Sequence, residues 1–319
     1  MLVRSYGFSV SAGNAEISLQ KLLDSLVGTS GQPDQSLSNE RRIFIDTTTS
    51  PDFALGLVVT VKDQKTFCEL VNNKGNFVIS VTGLKGTNKL MEFNFFVINK
   101  TNGLGIYQHY FQSCSPGTFG TYLRTRYRKL TDDSRDAVID TLKAKGQHND
   151  SREKAVRSKH AKGLNFAILV QQASLESILK KFKDIKGFEY QFATLEPELV
   201  KGAPIADYVN RLTQKVSFKP NIEVDVLAKA IQATVDMLKP KSGHVSVIDD
   251  IEGEDVPMSV RIAEIPEHFG EQEYDVVATK LNNLDTSKFA SHKVVDELVT
   301  ACSQTYKHMF MAKVKNKKP

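Results

Sequence analysis

Two strand-like runs, MEFNFFVIN at 91–99 and LGIYQHYF at 104–111, stand on either side of Lys100-Thr101-Asn102-Gly103. Asn-Gly supplies the positive φ angles of a tight turn, so the stretch is committed to an antiparallel hairpin. Upstream, RRIFIDTT and FALGLVVTVK are rich in β-branched residues and meet at a Ser-Pro-Asp turn, a second hairpin. VRSYGFSV alternates as a strand does, and NFVISVTG adds another. EISLQKLLDSLV is different: Leu19, Leu22, Leu23 and Leu26 share one helical face, with Asn14 placed as the cap. The first 111 residues read as an antiparallel sheet carrying an early helix.

After Pro116 and Gly117 the pattern turns helical, through TFGTYLRTRYRKLTDDSRDAVIDTLKAK. GQHNDSREKAVRSKHAKG, with almost no apolar content, reads as a mobile connection. A second module follows: strand LNFAILV, helix SLESILKKFKDI, strand FEYQFATL, strand KVSFKP and a helix from about Asn221. HVSVIDD and MSVRIAEI form a further hairpin around the acidic DIEGEDVP. A last helix, KVVDELVTACSQTYKHMFMAKV, carries an apolar stripe of Val295, Leu298, Cys302, Tyr306 and Met309. The expected fold class is α+β. An antiparallel-sheet domain over 1–158 is joined by a C-terminal helix at 288–319, and a smaller, mobile α+β domain spans 159–287.

The 319 residues suffice for two cores. No apolar run approaches the roughly 20 residues of a membrane span, and the first residues lack the apolar core of a signal peptide. Cys68, Cys114 and Cys302 are odd in number and far apart, which suits a reducing cytoplasm. Charge is segregated. Residues 1–160 carry 21 Lys and Arg against 15 Asp and Glu, while 242–286 carry 2 against 11. Such segregation bears on partners rather than on fold.

The sharpest enzymatic pattern is Pro51-Asp52 with Asp63-Gln64-Lys65, a loose match to metal-dependent nucleases. The intervening FALGLVVTVK reads as one strand, and ten residues at about 3.3 Å each hold the two carboxylates roughly 30 Å apart. They cannot share a metal, whose ligands must lie within a few ångströms of it. The seven histidines show no ligand spacing, and His109 reads as a cross-strand packing residue. The glycine runs lack the Lys and hydroxyl pair of a P-loop. Ser113-Cys114-Ser115 has no assignable base. The expectation is no catalytic residue, no metal and no cofactor.

GTFGTYLRTRYRKL is more informative. On a helix, Arg124 and Arg128 share a face flanked by Arg126 and Lys129, while Phe119, Tyr122, Leu123 and Tyr127 can point to the sheet. Guanidinium forks suit phosphates. The segment that follows adds Arg152, Lys154, Arg157, Lys159 and Lys162. A basic helix joined to a basic segment is what sequence-independent binding of a phosphate backbone requires. The eight candidate nucleic-acid contacts are therefore Arg124, Arg126, Arg128, Lys129, Arg152, Lys154, Arg157 and Lys159.

The order of ISLQKLLDSL, RRIFIDTTTSPDFALGLVVTVKDQKTF, FNFFVINKTNGLGIYQHYF, GTFGTYL, SFKP and ELVTACSQTYKHMF resembles the RexA family of phage-exclusion proteins. The resemblance lies in pattern and order across most of the chain. It implies a two-domain, α+β, cytoplasmic homodimer that binds double-stranded DNA without strong sequence preference, senses phage, and acts with a membrane-protein partner. One feature departs from it. The late strand in which that family carries a basic DNA-contacting pair here reads Val247-Ile248-Asp249-Asp250. The basic surface must then lie elsewhere, which returns the question to Arg124, Arg126 and Arg128. The acidic block Asp249, Asp250, Glu252, Glu254 and Asp255 is expected either to cover that surface in the resting protein or to face solvent and aid solubility only. The competing expectations are a nuclease or other effector enzyme of a defence system, and a scaffold for an acidic partner or membrane surface.

Overall fold

The computed structural model describes all residues except 15, 35–39, 63–65, 74–75, 86–88, 172–174, 193–211, 220, 239, 241, 252, 264–267 and 312–319. Among the described residues the strands are β1 (Leu2–Ala12), β2 (Pro33–Asp34), β3 (Arg41–Asp46), β4 (Phe53–Lys62), β5 (Thr66–Asn73), β6 (Asn76–Gly83), β7 (Leu90–Asn99), β8 (Leu104–His109), β9 (Leu164–Gln171), β10 (Asp184–Phe192), β11 (Leu212–Ser217), β12 (Ser242–Ile251), β13 (Glu254–Ala263) and β14 (Glu271–Glu273). The helices are α1 (Leu19–Gly28), α2 (Pro116–Ala144), α3 (Asp150–Lys159), α4 (Leu175–Leu179), α5 (Val224–Leu238), α6 (Tyr274–Lys280), α7 (Lys293–Thr300) and α8 (Lys307–Phe310). Twelve strands make one sheet in the order β11-β10-β12-β13-β9-β1-β8-β7-β4-β3-β2, with β14 also on β1; β5 and β6 pair separately. Every pairing is antiparallel except β13 with β9. The protein is α+β.

The central strands are covered on both faces, which is why β4 and β7 read as nearly continuous apolar runs. Phe53, Leu55, Leu57 and Val59 of β4 face a core shared with Val294, Val295, Leu298, Cys302 and Phe310 near the C-terminus. Ala54 and Val58 face the opposite core, with Leu22, Leu23 and Leu26 of α1 and Phe119, Leu123 and Tyr127 of α2. Gly56 lies opposite Phe96 on β7, and a Cβ there would fall 1.9 Å from the Phe96 ring. The missing side chain seats that ring, which packs on Phe119 at 4.5 Å. In this way a glycine in β4 sets the height of α2 above the sheet.

β9 joins the two halves of the sheet: Leu164–Ile168 pair with β1, and Ala167–Gln171 with β13. A third core, with Leu175, Leu179, Leu227, Ile231 and Val235 packed on Val245, Val247 and Val260, belongs to the second half. Phe269 and Val277 nevertheless enter the first core, beside Phe310. The C-terminal helices pack back on β7, where the Asn99 and Asn102 side-chain amides donate to the Phe310 carbonyl at 3.0 and 2.8 Å.

Four local expectations are corrected. The 146–163 stretch is not simply a mobile connection, because Asn149 caps a regular helix, α3, by accepting from the Arg152 amide at 2.9 Å. The cap of α1 is Ser18, whereas Asn14 is buried and its amide N–H donates to the Tyr127 hydroxyl. The helix expected over SLESILKKFKDI stops at Leu179; the Lys183 N–H already donates to Ile248 O, and β10 begins at Asp184. The last helix is interrupted by a π turn at Ala301–Thr305.

Candidate nucleic-acid interface

α2 is fixed at its start by Ser115, whose hydroxyl accepts from the Thr118 N–H at 3.1 Å, and by Pro116 in the first turn. Phe119, Tyr122, Leu123 and Tyr127 are all buried, as their spacing predicts. Gly120 brings the helix down onto β9, since a Cβ there would lie 2.5 Å from the Phe166 ring. One turn later the Tyr127 hydroxyl donates to Ile17 O at 2.7 Å, tying α2 to the chain that enters α1.

This seating separates the arginines. At about 100° per residue, Arg128 lies about 40° from Arg124, whereas Arg126 lies about 200° away. Arg124 is drawn in against β9, and its Nη2 donates to Phe166 O at 3.3 Å. Its Nη1 is buried without a partner, and burial pulls the guanidinium pKa below its ordinary value. Arg128 is 86% exposed, with the Asp132 carboxylate at 3.9 Å. Arg126 is 24% exposed, sits over the Tyr122 ring at 5.2 Å and lies 3.6 Å from Asp34. Lys129 is exposed between these two flanks. The structure therefore places Arg124 and Arg128 together and Arg126 apart.

α3 packs beside α2. Arg152, Lys154, Arg157 and Lys159 are exposed along it. Glu153 pairs with Arg157 at 2.7 Å and with His148 at 2.7 Å, so Arg157 is partly neutralised. Between α2, α3 and the start of β9 lies a cleft of about 390 Å³, walled by Arg124, Arg128, Arg135, Arg157, His160 and Lys162. Arg135 and His160 are absent from the eight expected contacts. The signal for Arg135 was available: 124, 128, 131 and 135 form one stripe of a helix. His160 had none, because its place depends on the turn after α3.

The acidic hairpin is engaged elsewhere. Lys183 pairs with Asp255 at 2.5 Å and with Asp250 at 3.8 Å, whereas the carboxylates paired with Arg126 and Arg128 are Asp34 and Asp132. The expected cover of Arg124 and Arg128 by this hairpin is corrected accordingly; Glu252 lies outside the described residues. Asp52 precedes β4 and its carbonyl accepts from the Lys100 N–H at 2.9 Å, while Asp63 is outside the described residues. His109 stands 6.2 Å from the Tyr6 ring, as a cross-strand packing residue does. Cys114 and Cys302 are buried and lie outside any disulfide among the described residues. Among the described residues no helix is long and apolar enough to cross a membrane. Comparison of the chain with family models, curated proteins and solved structures finds no match.

Proposed function

We propose that the chain is a non-enzymatic, sequence-tolerant DNA-binding protein that senses or regulates in an abortive-infection response to phage. The observation that carries the binding reading is the basic cleft between α2 and α3, lined by Arg124, Arg128, Arg135, Arg157 and Lys162. Arg128 is exposed at this cleft, and Lys129, Arg152, Lys154 and Lys159 add exposed cations elsewhere on the two helices. Guanidinium and ammonium groups of this kind suit phosphate contacts, which carry no sequence information. The defence role, the homodimer and the membrane-protein partner rest on the resemblance to the RexA family. The cytoplasmic setting rests on that resemblance and on cysteine usage. A gel-shift titration of duplex and single-stranded DNA, with and without magnesium, tests the reading. Duplex retardation with intact DNA supports it; magnesium-dependent cutting, or no retardation at low salt, rejects it.

A further inference from the structure

The cleft is more than a basic face. Its five fixed cations, Arg124, Arg128, Arg135, Arg157 and Lys162, meet one lining carboxylate, Asp132, so the lining carries a surplus of four. Two of these cations have further partners behind the lining: Arg135 with Asp136 at 2.8 Å, and Arg157 with Glu153 at 2.7 Å. Counting those carboxylates leaves a surplus of two. His160 walls the cleft with both ring nitrogens engaged. Its Nδ1 faces the Val156 carbonyl at 2.9 Å and so carries the proton, leaving Nε2 to accept from the Ser134 hydroxyl at 3.4 Å.

Arg124 is the informative residue. A guanidinium stays charged, and its buried donors need acceptors. Nη2 has one, the Phe166 carbonyl, but buried Nη1 has none, and no carboxylate pairs with this arginine among the described residues. Arg124 lines the cleft, so an oxyanion entering it supplies the missing countercharge. The volume, about 390 Å³, is within the range of small-ligand sites. We infer that the cleft seats a phosphate monoester of about mononucleotide size, with Arg124 on its floor and Arg128 and Lys162 at its mouth. A monoester dianion matches a surplus of two, whereas a backbone diester carries a single charge. The ligand's source is either a free nucleotide or the phosphorylated end of a nucleic-acid strand. This rests on reading α2 and α3 as a phosphate-binding face.

The test uses the full chain and titration calorimetry with AMP, inorganic phosphate and adenosine. It adds duplexes of one sequence bearing 5′-phosphate or 5′-hydroxyl ends. AMP is expected to bind at least tenfold more tightly than adenosine. Arg124→Gln and the exposed Arg128→Gln are each expected to weaken AMP binding at least tenfold and threefold, with unchanged melting temperature for Arg128→Gln. That second variant keeps the test decisive if Arg124→Gln does not fold. A preference for 5′-phosphate duplex assigns the strand end as the source; equal duplex binding with tight AMP binding assigns the free nucleotide. AMP binding no better than adenosine overturns the pocket and leaves salt-dependent duplex binding standing. AMP binding without any duplex binding upholds the pocket and rejects the DNA reading.

Discussion

Gly120 on α2 and Phe166 on β9 are in contact such that a Cβ at 120 would lie 2.5 Å from the ring. The ring cannot swing aside, because it is fully buried, stacked on Phe8 at 5.4 Å and edge-on to Phe119 at 6.1 Å. The close approach lets Arg124, one turn on, reach the carbonyl of the same Phe166. The floor of the cleft thus depends on a residue with no side chain.

Gly120→Ala weighs two effects against each other. Alanine gains about 1 kcal/mol in helix propensity. Overpacking a filled core costs about 1–3 kcal/mol. The expected result is a net loss of about 1 kcal/mol in urea unfolding, together with weaker duplex binding. A stabilised variant would show that α2 can lift from β9 without strain.

Tyr127→Phe removes the hydroxyl that donates to Ile17 O and accepts from the Asn14 N–H. The ring is fully buried, so both groups lose their partner without gaining water. A loss of about 1–2 kcal/mol is expected. Chemical denaturation checks it, and an unchanged midpoint contradicts the proposed tie between α2 and the entry to α1.

Arg126 and Arg128 separate structure from binding. Arg126→Ala removes a half-buried cation held by Tyr122 and Asp34, and is expected to change duplex affinity less than twofold. Arg128→Ala removes an exposed one and is expected to flatten the slope of log affinity against log salt by about 0.9. The reverse ranking in a filter-binding assay would move the interface to the other flank of α2.

His109 sets an acid limit on stability. Burial lowers its pKa from the ordinary value near 6.5. As pH falls below about 6.5 the unfolded chain takes the proton first. Stability is therefore full above that pH and declines below it, towards the folded pKa. His109→Gln is expected to decline less between pH 7.5 and 5.5. Parallel declines in urea midpoint for both proteins would remove His109 from the account.

The hairpins and α2 were legible because turn chemistry and a repeating apolar face are local signals. Gly103 does adopt a positive φ of 69°, as the turn before β8 requires. α3 was not legible for the opposite reason. It buries no residue, and its order comes from the Asn149 cap and the Glu153–Arg157 pair, which an apolar pattern cannot register. The partner of the acidic hairpin was also hidden. Lys183 lies 72 residues before Asp255, and only the β10–β12–β13 pairing brings them together. The basic cleft lies between these cases. Its α2 stripe can be read from helical spacing, while Lys162 and His160 arrive there through the turn that connects α3 to β9.

Equilibrium binding of an undamaged duplex across a salt series tests the central claim most directly. The wild-type chain is to be compared with one in which Arg128, Lys129, Arg152, Lys154 and Lys159 are all changed to Gln. These five side chains are exposed on α2 and α3, so the fold should survive. The slope of log affinity against log salt is expected to flatten by about 4.5 units. Equal slopes and equal affinities for the two proteins would contradict it.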